Sequence, residues 1–247
     1  LINLPIPPAL AVTFEGHAEF NGVPLFAPIK LVLEAQQWTC LLGGSGTGKS
    51  TILRLIAGLD TGANFTGRIY SSDGGQVYKR IAYMAQDDLL LPWATVKRNI
   101  TLGALLRGRK HDNLRLEQLM ERIGLTQHAN KKPGQLSGGQ RQRAALARTL
   151  MEDKPVVLLD EPFSALDAKT RMQMQDLAVE LLVGRTVLIV THDPGEASRL
   201  AHSIAILSPR GLDLRQPPIS SIPRPIDDLG SLEFHASLIR DLMSGES

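Results

Sequence analysis

The chain of 247 residues has one cysteine, Cys40, which excludes an internal disulfide and a cysteine-built metal cluster. Such usage suits a reducing compartment. Long apolar stretches are also missing. The longest clean runs, 156–159 and 187–190, are strand-sized, far below the roughly 20 residues of a membrane-spanning helix. Neither sign of charge dominates: 27 basic against 25 acidic residues leave a formal net charge of +2, which argues against a nucleic-acid partner. Residues 1–14 carry no lysine or arginine but hold Pro5, Pro7 and Pro8, so they do not read as a secretory signal. Internal repeats and low-complexity blocks are absent. What remains is ordinary globular usage, 43% hydrophobic and 21% charged, enough for one large domain with its own core.

Patterning predicts an α/β fold around a parallel sheet. Trp38–Leu42 is a short apolar strand that runs into a glycine-rich loop, and 49–57 follows as a helix stopped by Gly58. Short strands are expected at 68–70 and 77–83, around the turn Asp73-Gly74-Gly75. The middle, about 89–150, changes to helical spacing, with 96–107 helix-like and Leu116, Leu119, Met120 and Ile123 on one stripe. It reads as a helical insert. The runs 156–159 and 187–190 are continuous, as in parallel strands covered on both faces. Met174, Leu177, Ala178, Leu181 and Leu182 form the stripe of a crossover helix between them, and 204–207 is a further strand. From Ser208 the chain is proline-rich and then amphipathic over 229–243. That tail is too short for a second domain and is expected to pack on the core as a helix.

Three motifs carry chemistry. Gly43-Gly44-Ser45-Gly46-Thr47-Gly48-Lys49-Ser50 fits G-x-x-x-x-G-K-[ST] between a predicted strand and a predicted helix. Its glycines let backbone N–H groups cradle phosphate oxygens, and the helix N-terminus adds its positive dipole end. Lys49 supplies a point charge and Ser50 a Mg²⁺ ligand. Asp160-Glu161 stand at the exit of the buried strand, where ligands of open α/β sheets bind. Asp160 suits Mg²⁺ and Glu161 suits the attacking water, unless the pair simply faces solvent. Leu136-Ser137-Gly138-Gly139-Gln140 precedes the helical run 142–151. It reads either as a second anion cradle, for a nucleotide held by a partner, or as an N-cap serine with loop glycines.

In this order the motifs resemble the ATP-binding subunit of an ABC transporter over about 10–207. The resemblance implies a P-loop NTPase core with a parallel sheet, a small antiparallel β subdomain and an inserted helical subdomain. One ATPase domain would fill 1–247, with 89–150 as the helical part and 208–247 as tail. It implies ATP and Mg²⁺ as cofactors, with nucleotide contacts from the 43–50 loop and Thr51. Gln86 matches the family's Q-loop, with contacts to metal and to the reaction. Asp167, ending Ser164-Ala165-Leu166-Asp167, matches the D-loop, and His192 the switch histidine. Ser137, Gly138, Gly139 and Gln140 match the signature that touches the nucleotide of a second, head-to-tail copy. The family stacks an aromatic ring on adenine upstream of the loop lysine. Phe20 is at that spacing, and core packing is its other reading. Two departures stand out: Gly44 replaces a frequent proline, and Ala35-Gln36-Gln37 replaces a glycine-containing turn.

The stretch 86–93 looks like the nitrate/sulfonate/taurine importers, while 38–42 and 149–153 look more like their hydroxymethylpyrimidine branch. The resemblance then implies a separate membrane permease, a periplasmic or extracellular solute-binding protein, and a peripheral place on the cytoplasmic face of the inner membrane. Leu89, Leu90, Leu91 and Trp93 suit the permease contact or the core of the insert. Other classes fit less well. Repair-type relatives need long heptad coiled coils, for which the span from Lys49 to Ser137 leaves no room. A GTPase needs Asn-Lys-x-Asp, and Asn130-Lys131-Lys132-Pro133 ends wrongly. A non-hydrolysing regulatory subunit is disfavoured by the presence of Glu161, Gln86 and His192 together.

Overall fold

Alternation along the central strands shows how the layers form. In β4 (Trp38–Leu42), Trp38, Cys40 and Leu42 face one core and Leu41 the other. In β7 (Val156–Asp160), Val157 and Leu159 oppose Val156 and Leu158. In β8 (Thr186–Thr191), Val187 and Ile189 oppose Leu188 and Val190. Both faces are therefore apolar, which is why these strands read as unbroken runs. The computed structural model describes residues 8–245. Residues 1–7 of the segment read as no secretory signal lie outside them.

A six-stranded sheet joins β4, β7 and β8 to β6 (Ile81–Met84), β9 (Ser203–Ser208) and β10 (Gly211–Arg215). Its order is β10-β9-β4-β8-β7-β6, parallel except for the β9–β10 hairpin. One face packs on α1 (Lys49–Ile56) and a second, antiparallel sheet. That sheet holds β1 (Val12–Phe20), β2 (Val23–Pro24), β3 (Ile29–Leu33) and β5 (Asn64–Ser71), all paired to β1. The other face carries α2 (Val96–Ile100), α3 (Leu102–Leu106), α4 (Asn113–Arg122), α5 (Gly138–Met151), α6 (Ala168–Leu181), α7 (Pro194–Leu200) and α8 (Leu229–Gly245). The apolar residues of that face and of its helices form one large core. A fully buried Leu or Ile there contributes about 1.5–3 kcal/mol.

Two local expectations are corrected. Of 77–83 only the end is strand, because Tyr78–Arg80 is a 3₁₀ turn leading into β6. The helix expected over 96–107 is two short helices. Thr101 stands at the break with φ −90° and ψ 6°, and its hydroxyl bonds back to Lys97 O at 3.0 Å, a local competitor of the helical ladder. The altered turn before β4 holds: Gln36 adopts the left-handed φ of 60° that a glycine favours. Its amide donates to Thr186 Oγ1 at 2.9 Å.

The tail straps back onto α7. Arg224 is only 2% exposed and donates from Nη1 to Ser198 O and Ala201 O, both at 2.8 Å. It also donates from Nη2 to Pro218 O and from Nε to Ser220 Oγ. A cation on the last carbonyls of a helix complements their partial negative charge. Beyond it, Leu238 of α8 is fully buried in the large core.

Candidate active site

The carboxyl ends of β4, β8, β7 and β6 converge on one cleft, the usual ligand edge of an open parallel sheet. After β4 the chain turns through 43–48 into α1. Gly48 caps that helix with φ 95° and no side-chain bond to the first turn. A Cβ on Gly48 would lie 2.8 Å from Cδ1 of Phe26, so a side chain is excluded by both contact and conformation. The first amides of α1 therefore lack a capping side chain and are free for an anion.

Lys49 folds back under this loop. Its Nζ donates to Gly43 O at 2.8 Å and Gly44 O at 2.6 Å. Burial lowers the lysine's pKa, and the Glu161 and Asp160 carboxylates oppose that shift. Ser50 Oγ donates to Asp160 Oδ1 at 2.9 Å, and the Tyr83 hydroxyl donates to Asp160 Oδ2 at 3.1 Å. Asp160 ends β7 and is 1% exposed. Its pKa is raised by burial, against the pull of these two hydrogen bonds.

Glu161 leaves β7 with φ 45°, a left-handed conformation that costs a non-glycine residue about 1–3 kcal/mol. The surroundings hold it there: its amide donates to Val190 O at 2.9 Å, and its carbonyl accepts from Ser164 Oγ at 3.1 Å. The carboxylate lies between two side chains from neighbouring strands. Gln86 Nε2 donates to Oε2 at 3.3 Å, and His192 Nδ1 lies 3.2 Å from Oε1.

Phe20, Ser45, Gly46, Gly48, Lys49, Ser50, Thr51, Gln86, Glu161 and His192 line one cleft of about 490 Å³. Phe20 is 37% exposed at its mouth, with Leu25 beside it. Asp160 sits just behind Ser50. Gly43, Gly44 and Thr47 do not line the cleft; Gly44 and Thr47 border a neighbouring cavity with Leu207 and Leu242, and Thr47 Oγ1 donates to Gly44 O. The remaining expected contacts lie elsewhere. Ser137 caps α5, its Oγ accepting from Gln140 N while Gln140 Oε1 accepts from Ser137 N at 2.9 Å. Within one chain the N-cap reading is thus realised, and exposed Gly138 and the half-exposed Gly139 stand clear of the cleft. Asp167 caps α6 by accepting from Thr170 N at 3.0 Å, and that bonding holds its pKa down. Sequence reasoning missed Leu25 and Tyr83. Leu25 carries no signal, whereas the phenol of Tyr83 is a polar group in an otherwise apolar strand.

The donor set fits Mg²⁺. Ser50 and Asp160 offer hard oxygens side by side, Gln86 lines the same cleft, and no cluster of three or more His, Cys, Asp or Glu forms a metal cage among the described residues. Magnesium is typically held by one or two carboxylates plus substrate phosphates.

Comparison with known proteins places the chain in a family. The ABC transporter family model matches residues 26–164. An uncharacterized ABC transporter ATP-binding protein of Haemophilus influenzae is 46% identical over 208 residues, covering 83% of this chain and 84% of that protein. Aliphatic sulfonates import ATP-binding protein SsuB 1 of Paracoccus denitrificans is 42% identical, covering 82% and 80%. SsuB of Delftia acidovorans is 38% identical, covering 95% and 96%. Among solved structures, the dimeric post-hydrolysis state of the ATP-binding cassette MJ0796 bound to ADP and Pi aligns with a TM-score of 0.71 and 28% identity. It covers 85% of this chain and 99% of that one. The chain therefore belongs to the ABC transporter family as an ATP-binding subunit, an ATPase that works with ATP and Mg²⁺.

Proposed function

We propose that this chain is the ATP-hydrolysing subunit of an importer and powers uptake of a small solute through a separate permease. The observation that carries the reading is the row Gln86–Glu161–His192 across the mouth of an uncapped phosphate loop. A cradle alone binds nucleotide. A carboxylate fixed between an amide and an imidazole at its mouth can also direct water.

The loop amides and Lys49 hold the phosphates, Lys49 exchanging its bonds to Gly43 and Gly44 for the terminal oxygens. Mg²⁺ would be held by Ser50 and Asp160 with Gln86, and supplies charge neutralisation at the transferring phosphoryl group. Glu161 accepts a proton from the attacking water. His192 positions Glu161 and the leaving phosphate, and Phe20 stacks on the base. Ser137, Gly138, Gly139, Gln140 and Asp167 serve the nucleotide of a second copy packed head to tail. Their distance from the cleft of their own chain supports that assignment. ATP then favours the closed dimer and hydrolysis releases it, a ligand-biased population shift that the permease reads.

The whole chain acts as one ATPase domain, with 89–150 as its helical subdomain. Leu89 and Trp93 on that insert are 61% and 70% exposed and suit the permease contact, whereas Leu90 is core. No helix among the described residues is long and apolar enough to cross a membrane. The place of work is then the cytoplasmic face of the inner membrane, with a solute-binding protein on the far side. The names of the relatives favour an aliphatic sulfonate as cargo over hydroxymethylpyrimidine. An uptake panel in cells lacking this chain tests it, with labelled alkanesulfonate, taurine, nitrate, hydroxymethylpyrimidine and thiamine. Alkanesulfonate uptake should return with the wild-type chain and not with Glu161→Gln. Restoration of none of the five would overturn the importer reading.

A further inference from the structure

We propose that Tyr83 is a positioning residue for the metal side of the site, fixing the Asp160 carboxylate so that Oδ1 is presented beside Ser50. The inference rests on the role given to Asp160 above. Asp160 is buried, with two oxygens and two hydrogen-bond donors: Ser50 Oγ on Oδ1 at 2.9 Å and the Tyr83 hydroxyl on Oδ2 at 3.1 Å. Only the Ser50 side opens to the cleft, since Ser50 lines it and Tyr83 does not. The oxygen held by Tyr83 is therefore the rear one. A carboxylate anchored at its rear oxygen cannot rotate about its χ2 torsion when Ser50 turns its hydroxyl toward a metal. Without that anchor the buried Oδ2 has no partner, a costly state for a charged acceptor.

The anchor is itself held. Tyr83 lies opposite Leu158 in the β6–β7 register, two positions before Asp160, and its ring packs on the core under α1. Arg54 of α1, one helical turn after Ser50, interacts with the phenol and its charge also reaches Asp160. Both oxygens of Asp160 are thus referenced to the phosphate-loop helix, one through Ser50 and one through Tyr83. Gln86 follows three residues on, just past the end of β6. Tyr83 touches no reacting atom in this account.

The test is a fluorescence titration of the full chain with a labelled non-hydrolysable ATP analogue, in excess EDTA and in excess Mg²⁺. The readout is the affinity gained on adding Mg²⁺. Tyr83→Phe keeps the ring and removes only the hydroxyl. It should leave the EDTA affinity unchanged and reduce the Mg²⁺ gain about ten- to hundredfold, the scale of one hydrogen bond to a charged group. Asp160→Asn should reduce the gain further, and adding Tyr83→Phe to it should change nothing more. A Tyr83→Phe protein with the full gain would overturn the proposal, as would an equal loss in EDTA and Mg²⁺. If Asp160→Asn also kept the full gain, the metal role of Asp160 would fall with it. A normal Asp160→Asn loss beside an unaffected Tyr83→Phe would refute Tyr83 alone.

Discussion

Replacing Arg224 with alanine should destabilise the protein strongly, although the residue lies far along the tail. The residue is 2% exposed, and its guanidinium makes four hydrogen bonds, to Ser198 O, Ala201 O, Pro218 O and Ser220 Oγ. The two bonds that the Arg224 backbone makes with Arg199 survive truncation: Arg224 N donates to Arg199 O at 3.0 Å, and Arg224 O accepts from Arg199 Nε at 3.1 Å. Truncation leaves three carbonyls short of a donor and opens a cavity between the strap and α7. Each buried acceptor left unsatisfied costs about 1–3 kcal/mol, so the loss over three carbonyls, eased by relaxation of the strap, is about 3–5 kcal/mol. For a domain of this size 1 kcal/mol moves Tm by about 2–4 °C, so the expected fall is about 6–20 °C. Thermal unfolding followed by circular dichroism reads it directly. Arg224→Lys keeps the charge but cannot reproduce the planar fork, so it should recover less than half of the loss. A fall below about 3 °C for Arg224→Ala would refute the reasoning, as would full rescue by lysine.

Further expectations concern the site. Lys49→Ala should abolish tight MgATP binding in an equilibrium titration, since it removes the buried ammonium nearest the cradle; unchanged affinity would contradict the assignment of the loop. Ser137→Arg should leave nucleotide binding by the isolated chain intact and stop hydrolysis, because Ser137 stands outside its own cleft. Loss of binding by the monomer would instead place the signature on the same chain's nucleotide.

Legibility in the sequence followed burial. β4, β7 and β8 are covered on both faces, so each appears as an apolar run, and the loop after β4 announces itself by its glycines. β1 and β3 were harder. β3 alternates buried and exposed residues over five positions, a weak pattern at that length. β1 is interrupted by Gly16, where a Cβ would meet Thr66 O at 2.3 Å. That glycine is demanded by a partner strand fifty residues on, which no local pattern reveals. At the site, the residues with a spaced motif were legible, from Gly43 to Ser50 and at Asp160 and Glu161. Gln86 and His192 were visible only through their resemblance to a family, because one amide or imidazole after a strand has no chemical signature. Tyr83 and Arg224 act through single hydrogen-bonding groups brought together by tertiary packing, and these have no period to read.

The central claim is that Glu161, held between Gln86 and His192, turns a nucleotide cradle into an ATPase. Phosphate release by the purified chain, wild type against Glu161→Gln at saturating MgATP, tests it most directly. The account predicts a fall of about 10²–10⁴-fold, the range of a lost general base, with nucleotide binding retained and a dimer accumulating on size exclusion. Undiminished phosphate release by Glu161→Gln would contradict it.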